Sequence, residues 1–266
     1  MKRRVLLTYF LVAAFGISGR PTAAAGQAAN TGTANTGTIR GRIRLTGPAP
    51  GNAVIRMGRD PMCAKVNAGK RVIQEAVMTS ADGGLANVFV RLQGTFPQAP
   101  VPTQAVTIDQ SGCAYRPRVI GVRVGQTLQI KNSDAFLHNV HSNSAHNNTF
   151  NVGQPVAGQV YQFKPKEEEV MLRIGCDVHS WMNAYVGVVN NPYFAVSSAG
   201  GNFEIDNVPA GMRTIQIWHE RYGMLTKTVN IKAGAITTVD FAYTGNEKPG
   251  TAGIHELSIP TESSAN

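Results

Sequence analysis

The stretch Val170-Met171-Leu172-Arg173-Ile174-Gly175-Cys176-Asp177-Val178-His179-Ser180-Trp181-Met182-Asn183-Ala184-Tyr185-Val186-Gly187-Val188-Val189 decides how the rest of the chain is read. Its two ends, 170–174 and 184–189, are short apolar runs rich in β-branched residues and read as strands. Between them lie a thiol, an imidazole and a thioether at positions 176, 179 and 182. Two residues on each side of His179 let a tight strand-to-strand loop turn all three toward one centre. Such donors are soft or borderline, and together they suit copper better than magnesium or calcium. A loop held by a rigid β scaffold is also where binding residues concentrate.

A fourth donor stands upstream. The amphipathic run 122–130 leads into Asn132-Ser133-Asp134-Ala135-Phe136-Leu137-His138-Asn139-Val140-His141. With His138 the set becomes two histidines and one cysteine, Met182 being a weak axial ligand, which describes a blue-copper electron-transfer centre. Cys-x2-His-x2-Met preceded by His-Asn-Val-His resembles the amicyanin/plastocyanin-like, short-loop members of the cupredoxin (blue copper) family, over roughly residues 85–190. That resemblance implies a Greek-key β-sandwich and one mononuclear copper ion. It makes His138, Cys176 and His179 the equatorial ligands and Met182 the axial one. It turns the backbone N–H of Asn139 toward the Cys176 sulfur and gives His141 no copper bond. It further implies a periplasmic redox partner, a dehydrogenase or a cytochrome. Electrons would enter at an outward edge of His179, with Trp181 beside it as a docking aromatic. The pattern departs from amicyanin at Val178 and Ser180, where proline flanks the loop histidine, so a less rigid loop and a shifted potential are expected.

Other readings of the same residues stay open. A buried Cys or Met is commonly a core hydrophobe, Trp181 can pack inward onto Tyr185 or a second β module, and His138, His141 and His146 can form a second metal site on one loop.

Residues 1–25 carry Lys2-Arg3-Arg4, an apolar core and the small run Ala23-Ala24-Ala25, the pattern of a signal peptide removed on export. The apolar core is too short for a membrane span, so the mature chain is expected in the periplasm or secreted. Four of the nine net positive charges lie in this leader, leaving +5. No basic cluster interleaves with aromatics, which argues against nucleic acid as a partner. Residues 26–37 are small and polar, a flexible linker. Thr38-Ile39-Arg40-Gly41-Arg42-Ile43-Arg44-Leu45 alternates as a half-buried strand and opens an N-terminal β extension, 38–84.

After Val189 a second β pattern occupies 191–245. Gly201-Asn202-Phe203-Glu204-Ile205 and Val208-Pro209-Ala210-Gly211 resemble a carboxypeptidase-regulatory-like β-sandwich, a structural module, and the chain has no His-Glu-x-x-His motif. The tail 246–266 is polar and expected to be poorly ordered. With 28 Gly, 14 Pro and no sustained helical period, the chain is expected to be all-β. Of the three cysteines, an oxidising compartment favours pairing Cys63 with Cys113 once Cys176 is committed to metal. Four protein donors leave a metal no open position, so the expected function is electron carriage rather than catalysis. A copper carrier or sensor and a metal-free structural sandwich are the alternatives.

Overall fold

The computed structural model describes residues 35–249. The expected leader, residues 26–34 of the linker and the tail from 250 lie outside the described residues. In chain order the elements begin with β1 (Thr36–Leu45), a 3-10 turn at Met57–Arg59 and the helix α1 (Pro61–Val66). Then follow β2 (Phe89–Gln93), β3 (Val106–Gln110), β4 (Tyr115–Arg116), β5 (Val119–Arg123), β6 (Leu128–Asn132), β7 (His138–Asn143), β8 (Phe150–Gln154) and β9 (Val160–Phe163). The chain continues through β10 (Glu169–Gly175), β11 (Asn183–Val189), β12 (Phe194–Val196), β13 (Asn202–Pro209), β14 (Gly211–His219), β15 (Gly223–Ile231), β16 (Ile236–Thr238) and β17 (Phe241–Tyr243). The fold is all-β, as the short alternating runs and the Gly/Pro breaks between them require. Among the described residues no helix is long and apolar enough to cross a membrane.

Two sandwiches share this chain. In the first, a sheet ordered β5-β11-β10-β7-β8 faces one ordered β4-β3-β6-β9. Ile108, Leu128 and Ile130 from one sheet meet Val122, Val140, Leu172, Ile174, Val186 and Val188 from the other in a single buried cluster. The 170–174 and 184–189 runs become the adjacent antiparallel strands β10 and β11, Arg173 opposite Tyr185, so the loop 176–182 is carried at one end of a largely buried strand pair.

The second sandwich differs from the order along the sequence. Its sheets are β13-β1-β16, with β17 also on β1, and β12-β2-β14-β15. Thus β1 is not part of a separate N-terminal extension, and it begins at Thr36, inside the expected linker. Its inward Ile39, Ile43 and Leu45 pack with Phe203, Ile205, Phe241 and Tyr243. The run 86–92, placed with the copper unit from its position in the chain, supplies β2, and β2 pairs with β12 and β14. The alternation along each run shows which residues are buried. It carries no information on which sheet buries them.

Where the sandwiches meet, Phe89, Val119, Met171, Val189 and Trp218 form a third apolar cluster. Gly121 and Gly187 are paired neighbours on β5 and β11. A Cβ on Gly121 would stand 2.3 Å from the Phe194 ring, and one on Gly187 would stand 2.3 Å from the Phe89 ring. The two glycines therefore give the two rings a flat seat. Arg118 closes the edge with a bidentate pair to Glu220 at 2.5 and 2.8 Å.

His219, at the end of β14, is fully buried and stacked on Tyr222. Its Nδ1 accepts from the Arg221 backbone N–H at 3.2 Å, while Nε2 has no partner. Burial first, then the charges of Arg118 and Arg221, push its pKa down from 6.5 to about 3. Between these values the unfolded chain binds the proton and the folded chain does not, so stability falls as pH falls through that window. The slope reaches about 1.4 kcal/mol per pH unit. Denaturant unfolding between pH 7 and pH 5 should show this loss in the wild type and a flatter profile in His219→Gln; equal slopes would remove His219 as its source.

Candidate metal centre

The loop after β10 is closed by its own backbone: Met182 N–H donates to His179 O at 2.9 Å and Cys176 N–H to Met182 O at 3.3 Å. This closure turns Cys176 and His179 to the same side, where His138 arrives at the start of β7. Nδ1 of His138, Nδ1 of His179 and Sγ of Cys176 lie within 4.8 Å of one another. The two Nδ1 atoms are 2.9 Å apart, and Sγ is 3.7 Å from Nδ1 of His179. His138 is 0 % exposed, His179 1 %, Cys176 4 % and Met182 1 %. Met182 shares the core cluster that holds Cys176.

The outer nitrogens of both histidines are committed. His138 Nε2 donates to Asp134 Oδ2 at 2.8 Å, and His179 Nε2 donates to Asp60 Oδ2 at 2.7 Å. An ionised carboxylate only accepts, so each Nε2 carries a proton, and in the neutral imidazoles both Nδ1 lone pairs face the centre. At 2.9 Å the two Nδ1 atoms need a positive charge between them, a shared proton or a metal ion. The donor chemistry, two imidazole nitrogens and a thiol, therefore fits a copper ion bound through Nδ1, Nδ1 and Sγ. Carboxylates behind metal-binding imidazoles fix the tautomer and raise ligand basicity. The His179 bond, then the Cys63 backbone N–H, hold the Asp60 carboxyl below the usual range. Burial works to raise Asp134, and its bonds from His138, Cys113 and Gly112 outweigh that and leave it lowered.

Neighbouring groups brace the donors. Asn139 N–H points at Cys176 Sγ at 3.4 Å, the orientation that the family resemblance implied. Its side-chain Oδ1 accepts from the Asp177 backbone N–H at 2.6 Å, pinning the ligand loop to β7. The Tyr115 hydroxyl donates to Asn139 O at 2.7 Å and lies 3.1 Å from Gly175 O, tying β7 to β10. His141 Nδ1 lies 2.9 Å from Asp177 Oδ1, away from the centre, and His146 is exposed on the β7–β8 loop. The three histidines 138, 141 and 146 are not brought together.

The expectation that His179 offers an outward edge is overturned. The segment 57–66 lies over it: Asp60 binds Nε2, and Cys63 Sγ is 3.4 Å from the same nitrogen. Trp181 does not stand free as a docking aromatic either. Its ring packs on His179 with centroids 5.1 Å apart, and Nε1 donates to Cys113 O at 3.1 Å. Tyr185 instead packs on Trp218. A covering segment from 119 residues earlier supplies the neighbours of His179.

That covering segment is held by a disulfide. Cys63 and Cys113 are bonded, with Cα atoms 5.8 Å apart. Among the described residues Cys176 is the free cysteine. The sequence does hold a signal for α1: Asp60 followed by Pro61 is an N-cap with proline at the first helical position. Asp60 Oδ1 accepts from Met62 and Cys63 N–H at 2.8 and 2.9 Å. Nothing local marks Asp60 or Asp134 as partners of the histidines.

The chain matches no family model and no curated protein. Among solved structures, the copper-containing nitrite reductase from Thermus scotoductus SA-01 aligns at 19 % identity and TM-score 0.30, over 37 % of this chain and 25 % of that one. The purple cupredoxin from Nitrosopumilus maritimus aligns at 22 % identity and TM-score 0.27, over 31 % of this chain and 98 % of that one. A mutant of amicyanin in its Cu(I) form aligns at 23 % identity and TM-score 0.29, over 38 % of this chain and 98 % of that one. The chain thus spans a quarter of the reductase and nearly all of the two small proteins.

Proposed function

We propose that this chain is an exported copper protein that carries single electrons between periplasmic redox partners. The observation that supports it is the convergence of His138 Nδ1, His179 Nδ1 and Cys176 Sγ within 4.8 Å, with both Nε2 atoms occupied by carboxylates. Bound there, copper supplies one-electron chemistry by alternating between Cu(II) and Cu(I). The protein supplies the rest. His138 and His179 present preset lone pairs, Asn139 N–H donates to the sulfur, and Met182, buried in the same core cluster as Cys176, would be the fourth donor. The near-complete burial of all four donors keeps water out and favours an ion that is retained over one that is handed on. A metal held by four protein donors would have no open position for a substrate, so no enzyme activity is proposed.

The partner is proposed to be a dehydrogenase or a cytochrome. Because α1 covers His179, we place the approach at the thiolate side, where a pocket of about 250 Å³ lined by His141, Arg173, Asp177 and Ser180 reaches Cys176. The second sandwich is assigned a structural role. Adding Cu(II) to the metal-free protein should produce an intense visible thiolate-to-copper band and a paramagnetic resonance signal from one copper per chain. A colourless protein, or a spectrum of copper held only by nitrogen and oxygen, would refute the assignment.

A further inference from the structure

The segment 57–66 does more than shield the site. Asp60 serves two structures with its two oxygens: Oδ1 caps α1 through Met62 and Cys63, and Oδ2 takes the His179 Nε2–H at 2.7 Å. The other histidine is served in parallel, since Asp134 Oδ2 accepts both from His138 Nε2 and from the Cys113 backbone N–H, each at 2.8 Å. Each half-cystine thus donates its backbone N–H to the carboxylate that orients one of the histidines. The Cys63–Cys113 bond joins the two carboxylates into one frame around the centre. The Asp60 side chain is a quarter exposed and His179 is almost wholly covered, so Asp60 is the outermost group of the chain leading to the metal.

We propose that Asp60 is a positioning residue for His179, which sets how tightly copper is held and at what potential it cycles; this rests on the copper reading above. Its carboxylate fixes the Nε2–H tautomer, keeps Nδ1 turned to the centre and increases the electron density that the imidazole donates. More donation stabilises Cu(II) over Cu(I) and slows departure of the ion. Groups in this position commonly change metal affinity about 10–100-fold when removed. The geometry also distinguishes the histidines. His138 is held from within the sandwich by a residue four positions before it, whereas His179 is held from another part of the chain.

Asp60→Asn and Asp60→Ser test this, because Asn and Ser still cap a helix while neither provides a carboxylate for Nε2. Both variants should bind copper with the wild-type band, lose affinity about 10–100-fold in competition with a copper chelator, and shift the reduction potential upward. A role confined to supporting α1 would leave affinity and potential unmoved, and that result would overturn the proposal. A second measurement needs no metal: in the metal-free wild type the His179 Nε2 proton should exchange slowly with solvent by NMR, and in Asp60→Ser quickly. A slow proton in a wild-type protein that gives no copper colour would sink the copper reading and leave the Asp60–His179 link standing. A fast proton in the wild type would sink the link itself.

Discussion

In the copper-loaded form proposed above, Cys176→Ser is expected to abolish the intense visible absorption. The band requires a thiolate sulfur donating into copper, and a serine hydroxyl neither ionises at neutral pH nor matches the softness of sulfur. The substitution is close to isosteric at a buried position, so the fold stays intact and the loss is confined to the spectrum. The Asn139 N–H that now points at Sγ at 3.4 Å faces an oxygen it can still donate to, which limits the structural cost further. His138→Ala and His179→Ala should open or weaken the site. His141→Ala should leave the spectrum nearly unchanged, because His141 Nδ1 is engaged with Asp177. Absorption spectra of the four variants, each checked for a cooperative melt, decide the matter. Persistent colour in Cys176→Ser, or its disappearance in His141→Ala, would mean that the ligand set is wrong.

Reducing the Cys63–Cys113 bond is expected to cost about 4 kcal/mol of stability, the loop-closure entropy of a bridge that closes 50 residues. That is a large part of the roughly 5–15 kcal/mol typical of a folded protein. Urea unfolding of the metal-free protein with and without reductant measures it, and a Cys63→Ala/Cys113→Ala variant should match the reduced protein. Thiol counting under denaturing conditions gives the bond itself: one reactive thiol before reduction, three after. Three thiols without reductant would eliminate the bridge.

What could be read from the residues and what could not divide along sequence distance. Cys176, His179 and Met182 lie on one strand-loop-strand unit, and His138 opens a strand whose alternation is plain, so local spacing is enough to nominate them. The all-β architecture is legible for the same reason, since most strands declare themselves within a few consecutive residues. Asp60 is invisible to such reasoning, and Asp134, only four residues before His138, carries no motif that marks it as a partner. An aspartate that accepts from an imidazole looks like any surface aspartate until the fold brings them together, and the Asp60 link joins residues 119 apart. Distance defeats Trp181 as well: beside His179 on a loop it reads as exposed, and only the fold brings up the Cys113 carbonyl, 68 residues earlier, that takes its Nε1–H. The sheet membership of β1 and β2 was hidden because burial on a strand face is the same whichever neighbour provides it.

The interleaving of the two sandwiches bears on how the protein is made. Thr38 bonds to Asp206 across 168 residues, and β1 also needs β16 and β17. A chain emerging from its N-terminus therefore carries β1 and β2 with unpaired edges until the whole of the first sandwich and most of the remainder have been synthesised. The inserted sandwich has its strands contiguous between β3 and β11 and can close first. Closing it brings Arg91 and Phe194 to the same flank, ready for β12 to dock on β2. Late-arriving strands thus finish a structure begun at the start of the chain, so a truncation after Val189 would leave β1 and β2 as sticky, aggregation-prone ribbons.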